Sequence, residues 1–201
     1  MLVVAVVVMA PGRAAAARSL LSSASGALWA ANLDLLSGVE IPAEIAVPDG
    51  HSLHGGIRAE GHQHYQFNGT AWVLTNATAK LYNSPTGTDA VGRHFFLEEP
   101  DALGGQPTWE TINEHHLPAL ISAVTANSVV AHPVDPDSIT WNLLAATSHY
   151  GNAEEPLGPV TFVQRILTRR GLPPSTTEGV STGAIHSSKY YAVYTFYVQR
   201  R

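Results

Sequence analysis

The sequence predicts an all-β domain, either a β-sandwich or a partly closed β-barrel with one short helix, behind a hydrophobic N-terminal segment. Three observations lead there. Segments rich in Val, Thr, Tyr and Phe recur at short intervals, separated by clusters of Gly, Pro, Asn and Ser that punctuate short strands. Asn68-Gly69 lies between two such segments, and that dipeptide is the strongest short-range hairpin signal. The chain closes on KYYAVYTFYVQRR, an alternating pattern with aromatic residues on both faces, which suits a strand that is central or that seals a barrel.

The elements follow in order. MLVVAVVVMA opens the chain and is too short to span a bilayer, which needs about 20 residues. It reads either as a secretory signal, with the small residues Ala14, Ala15, Ala16 and Ala17 behind it, or as a retained strand. The strand reading rests on Val3, Val4, Val6, Val7 and Val8. Residues 1–38 are therefore a signal-like or strand-donating segment, and 39–201 a single β domain. HSLHGGIRAEG is a first strand, bent by Gly55-Gly56. GHQHYQF and AWVLTNATAKLY are hairpin arms. Alternation in the second arm puts Val73, Thr75, Ala77, Ala79 and Leu81 on one face, and Trp72, Leu74, Asn76, Thr78, Lys80 and Tyr82 on the other. AVGRHFFLE is a further strand. Leu117, Leu120, Ile121 and Val124 then repeat at helical spacing, which predicts a short helix over 117–124 with Pro118 in its first turn. Strands resume at SVVAHPV, ITWNLLAATSHY and VTFVQRILT.

Composition narrows the function. The 201 residues are 45% apolar and 13% charged, as in a globular domain with a real core. The net charge of −5 gives no electrostatic footprint for nucleic acid, and the basic residues are scattered apart from the pairs Arg169-Arg170 and Arg200-Arg201. Absence of cysteine excludes disulfides, thiolate metal sites and cysteine nucleophiles.

Ten histidines invite a search for a metal site. His62 and His64 share a strand face, but a zinc centre needs further ligands. The candidates His51, His54, His94 and Glu60 are not fixed by spacing, so the pair reads as a solvated polar face and no metal or cofactor is assigned. His115 and His116 read as surface residues at a helix start. No Gly-x-Ser-x-Gly elbow is present, and the acidic pairs Glu98-Glu99 and Glu154-Glu155 diverge in direction, so no catalytic residue is assigned. Asn68-Gly69-Thr70 and Asn76-Ala77-Thr78 are sequons, which makes Asn68 and Asn76 expected glycosylation sites on a secretory route.

Taken together, GHQHYQF, ATAKLYN, VGRHF, PTWE, ITWNLLAATSHYGNAEEPLGPVTFVQRILTRRGLPP and YYAVYTFY resemble the DUF3455 family, mostly secreted proteins without an agreed activity. Gly61, Gln63 and Tyr65 match that family's Gly-x-Gln-x-Tyr-x-Cys motif, while Phe67 stands where the cysteine is usual. The partner cysteine, expected after Leu172-Pro173-Pro174, is also absent, so Phe67 is expected to fill the disulfide's space by packing. His94, Trp109, Trp141, Gln164, Arg165 and Thr168 fall on family positions as well. The resemblance thus nominates Gln63, Tyr65, His94, Trp109 and Arg165 as binding residues, which either line a pocket or knit the sheet together.

Three functions are carried forward. The leading expectation is a non-enzymatic extracellular structural or matrix glycoprotein, self-assembling as its Val-rich strand adds to a neighbour's sheet edge. The alternatives are a secreted carbohydrate- or small-ligand-binding module, with Trp72, Tyr82 or Trp109 as a stacking platform, and an enzyme with a pocket around His94 and Arg165. The expected partners are a second copy of the chain or an extracellular matrix or glycan, with no nucleic acid and no membrane span.

Overall fold

The computed structural model describes residues 36–83, 86–112 and 120–200. The N-terminal Val-rich run and His115-His116 lie outside the described residues. Eight strands follow in order: β1 His51–Phe67, β2 Trp72–Tyr82, β3 Gly92–Phe96, β4 Pro107–Ile112, β5 Leu120–His132, β6 Trp141–Tyr150, β7 Val160–Arg170 and β8 Ile185–Gln199. Each pairs antiparallel with the next, and β8 returns to β1, giving a closed up-and-down barrel.

The all-β expectation holds, and its finer form is corrected: the barrel is fully closed, neither a sandwich nor partly open. The reason lies in the aromatic C-terminal strand. β8 pairs with β1 from His51↔Gln199 to Gln66↔Ile185 and with β7 along its other edge, so both edges are spent on hydrogen bonds. A bulge at His54, beside Gly55-Gly56, bends β1 as it enters this pairing. The two segments read as separate strands are one 17-residue strand.

The helix expected over 117–124 is also corrected. Residues 113–119 lie outside the described set, and Leu120, Ile121 and Val124 belong to β5. Pairing with β4, from Thr111↔Ser122 to Thr108↔Thr125, overrides the helical spacing of a segment that is itself rich in β-branched residues. β4 had no clear strand signal in the sequence.

The side chains sort by pleat. Ile57, Ala59, Ala79, Leu81, Trp109, Val124, Leu144, Val163, Tyr190, Tyr194 and Phe196 fill the barrel. Leu157, fully buried on the β6–β7 loop, closes one end, and Ile139 on the β5–β6 loop belongs to the same core. Outside, residues 36–47 form a strap whose Leu36, Val39, Ile41, Ile45 and Val47 cover Trp141, Leu143, Ile166 and Val193. A 3-10 turn at Ala43–Ile45 seats the strap, and Gln164 Nε2 donates to the Ile45 carbonyl at 2.7 Å. No helix among the described residues is long and apolar enough to cross a membrane.

Strand alternation in β2 holds from Ala77 to Leu81 and then breaks. Tyr65 pairs with Leu74 but His64 pairs with Asn76, so Thr75 is an extra residue and the faces exchange beyond it. Trp72 consequently lies on the same side as buried Phe67, their rings 5.6 Å apart, instead of on the outer face with Lys80 and Tyr82.

Candidate functional site

A β-strand points alternate residues to opposite faces, and closure turns one face into an enclosed interior. Gln63 and Tyr65 on β1, His94 on β3, Trp109 on β4 and Arg165 on β7 all occupy inward register positions. Gln63 neighbours Ser188 on β8, His94 pairs with Ala79 and Trp109, and Arg165 pairs with Tyr194. The barrel therefore brings all five expected binding residues to one interior.

Tyr194 is their hub. The His94 ring stacks on Trp109 with centroids 4.5 Å apart and planes 16° from parallel, and Tyr194 packs against both at 5.2 and 5.1 Å. Arg165 hydrogen-bonds the Tyr194 phenol, and Tyr194 Oη lies 3.1 Å from Tyr190 Oη. The Arg165 Nε and Nη2 donate to the Thr140 carbonyl and hydroxyl at 3.1 and 3.3 Å. Tyr65 donates to the Gly171 carbonyl at 2.7 Å. Gly171 has φ +89°, and a Cβ there would sit 2.8 Å from Tyr190 Cβ and 3.4 Å from Gln63 Cγ, so the β7–β8 loop presses directly on this layer.

The electrostatics are one-sided. Burial drives the His94 imidazole down to about 3, with the Arg165 charge adding to the effect and the Thr108 carbonyl opposing it. His94 is thus neutral at physiological pH. Its Nδ1 faces that carbonyl at 2.8 Å and must carry the proton, which leaves Nε2 as an acceptor. Burial also raises the Tyr65, Tyr190 and Tyr194 phenols, so all three stay protonated. Arg165 is the cation of the group, and among the described residues no carboxylate pairs with it. Gln63 and Trp109 are each 1% exposed, and the Gln63 Nε2 and Trp109 Nε1 donors have no hydrogen-bond partner among the described residues. Gln164, also 1% exposed, makes a telling contrast: it donates to Ile45 and accepts from Thr195 and Tyr197. The chemistry available inside is recognition by N–H donors. A histidine held near 3 is a weak base at neutral pH.

The other expectations separate from this cluster. His64 Nδ1 and Nε2 lie 2.9 and 2.8 Å from the hydroxyls of Ser187 and Thr78, so both ring nitrogens are engaged by neutral groups. Among the described residues no group of three or more metal-ligating side chains converges. Asn68 Oδ1 accepts from the backbone N–H of Thr70 and Ala71 in the β1–β2 turn, and Asn76 Oδ1 accepts from Phe96 N. Sequence reasoning did not single out Tyr190 or Tyr194 as site residues. Their alternation with Ala192 and Phe196 was visible, but the side of the sheet they face follows only from closure.

A family model described as a protein of unknown function, DUF3455, matches residues 48–198. The chain belongs to the DUF3455 family. No curated protein and no solved structure matches it. All five inward residues lie within the DUF3455 match, whereas the strap over 36–47 precedes it. At the position of the motif's cysteine, Phe67 is buried against Trp72.

Proposed function

We propose that this DUF3455 protein is a secreted small-ligand-binding module whose barrel interior takes a small anionic or acceptor-rich molecule. One observation carries the reading: a cation without a carboxylate partner and two buried, unpartnered N–H donors share one enclosed interior. Leaving a buried donor unpaired costs about 1–3 kcal/mol, so a ligand rich in acceptors would recover what Gln63 and Trp109 forgo. Arg165 is half-buried, whereas Gln63, His94 and Trp109 are buried. Secretion is supported by the signal-like N-terminal run. The strand-donating form of the matrix reading needs a free sheet edge, and among the described residues each barrel strand is paired on both sides.

The test is a thermal-shift screen of small carboxylates and sugar acids beside their neutral amides or alcohols, on wild type, Arg165→Met and Gln63→Leu. A ligand at a hundred times its Kd stabilises by about 2.7 kcal/mol, which is roughly 5–10 °C for a domain of this size. Anions should raise the wild-type Tm by that amount and leave Arg165→Met unmoved, with Gln63→Leu between. A flat wild-type screen, or an equal shift in Arg165→Met, refutes the interior site.

A further inference from the structure

The outer wall of β8, β1, β2 and β3 carries a groove of about 600 Å³, within the usual size of ligand clefts. It is lined by the inward register positions Gly61, Ala79 and His94 and by the outward residues Glu60, Lys80, Tyr82, Arg93, Phe95 and Lys189. Three of the chain's eleven basic residues thus meet one carboxylate here, on a molecule whose net charge is −5.

The strand register shows how this concentration arises. A single row crosses the wall as Tyr191, Glu60, Lys80, Arg93 and Glu110, one residue from each of β8, β1, β2, β3 and β4. Lys80 and Arg93 are directly opposite, an arrangement that like charges make unfavourable in a sheet. Both carboxylates of the row already have cationic partners: Glu60 pairs with Arg58, and Glu110, nearly fully buried, pairs with Arg93 of the row itself, which leaves Lys80 as the row's cation without a carboxylate. Lys80 is exposed and makes no ion pair among the described residues.

Aromatic rings hold the neighbouring cations in place. Arg58 Cζ lies 4.4 Å from the Tyr82 ring centroid, Arg93 Cζ 5.5 Å from that of Phe95, and Lys189 Nζ 4.9 Å from that of Tyr191. Such stacks fix flexible side chains before a ligand arrives and lower the entropy cost of binding. The groove therefore presents ordered positive charge, apolar ring surface and, at Glu60 and Thr78, oxygen acceptors for hydroxyl groups. Few ligands want all three together. A sugar chain whose rings carry carboxylates does: acids for Lys80 and Lys189, hydroxyls for Glu60 and Thr78, and apolar ring faces for Tyr82 and Phe95. A single-stranded DNA supplies comparable negative charge without the ring hydroxyls that Glu60 and Thr78 would accept, which makes it the polyanion control.

We propose that this outer groove is a second binding site, separate from the barrel interior, for acidic oligosaccharides built of uronate sugars. It stands on the groove alone and survives failure of the interior site.

The test is calorimetric titration of the intact protein with a galacturonate hexamer, its methyl-esterified neutral form, and a ten-residue oligothymidylate. The proteins are wild type, the double variant Lys80→Gln/Lys189→Gln, and Arg165→Met. Both lysines are exposed, so the double variant should keep the wild-type Tm and circular dichroism. The acidic hexamer should bind wild type and Arg165→Met equally, at least tenfold more tightly than it binds the double variant. It should also bind at least tenfold more tightly than the ester or the DNA, and weaken as salt rises. Absence of binding, or equal affinity for the ester, overturns the proposal. Equal affinity for the DNA would make the groove a general polyanion patch and also overturns it. Loss of binding in Arg165→Met would move the sugar to the interior and overturn the outer site as well.

Discussion

Acidification should destabilise this barrel through His94, and the size of the effect follows from where the ring sits. The imidazole is fully enclosed, stacked on Trp109 and faced by the Arg165 guanidinium, so its folded-state value falls from 6.5 to about 3. The unfolded chain takes up the proton below about 6.5, whereas the folded chain refuses it until about 3. The contribution is therefore complete above pH 6.5 and is withdrawn as pH falls through that window. By about pH 4.5 the two-unit gap amounts to about 3 kcal/mol, at about 1.4 kcal/mol per unit. His94→Phe keeps an aromatic ring on Trp109 and removes the proton site. It forfeits the bond to the Thr108 carbonyl, worth about 1 kcal/mol, at every pH alike. Urea unfolding of both proteins, followed by circular dichroism at about pH 7, 5.5 and 4.5, reads the difference directly. The stability difference between them should shift by about 3 kcal/mol in favour of His94→Phe across that range. Curves that stay parallel within about 0.5 kcal/mol, the ordinary additivity error, would show that the buried imidazole is not held neutral.

Three further outcomes are expected. Gly61→Ala puts a Cβ 1.8 Å from the Thr78 carbonyl oxygen and 2.6 Å from Ala79 Cα, so β1 and β2 must part; the urea midpoint should fall by the equivalent of about 3 kcal/mol or more, and an unchanged midpoint would refute the close approach. Ile45→Ala should cost about 2–5 kcal/mol in the same assay, because Ile45 is fully buried between the strap and the β6–β7 wall; a cost near zero would mean the strap is not seated. Burial alone would raise the Asp101 carboxyl, but hydrogen bonds from Thr147, Ser148 and the backbone N–H groups of Gly105 and Leu103 hold it down at about 2. Its stabilisation is present above 3.8 and lost as pH falls toward 2, so Asp101→Asn should flatten the acid limb of the stability curve between about pH 4 and 2, and an unaltered limb would argue against those bonds.

Strand content and the alternation of β8 were legible because they rest on two-residue periodicity, which a sequence displays directly, whereas which of its faces turns inward was not. What was hidden depends on pairing. The helical spacing of Leu120, Ile121 and Val124 is real, yet β4 offers the segment a hydrogen-bonding partner that local propensity does not register. The placement of Trp72 failed for a smaller reason. One bulge at Thr75 exchanges the faces of everything before it, and nothing in AWVLTNATAKLY marks that residue as unpaired. The five binding candidates came from the resemblance, and their convergence follows from register around the ring. The outer groove shows the same limit most sharply. Lys189 is far in the chain from Lys80 and Arg93, and the basic residues read as scattered until the register placed these three on one wall.

Closure decides how the inward polar residues should be understood. In an open sandwich, Gln63 could reach water at a sheet margin, and knitting strands together would explain it. A barrel removes the margin: eight strands have no free edge, Leu157 fills one end, and the β7–β8 loop presses on Gln63 and Tyr190. Polar groups enclosed in this way must be satisfied by each other, by water or by a ligand. Gln164, beneath the strap, shows that this chain can satisfy a buried amide completely with its own atoms. Gln63 is buried to the same extent and is left with an unpartnered donor, as is Trp109. The same fold thus treats two equally buried amides differently, and the difference falls on the side of the wall where Arg165 also lacks a counter-charge. That coincidence favours binding over mere cross-strand support as the role of the interior.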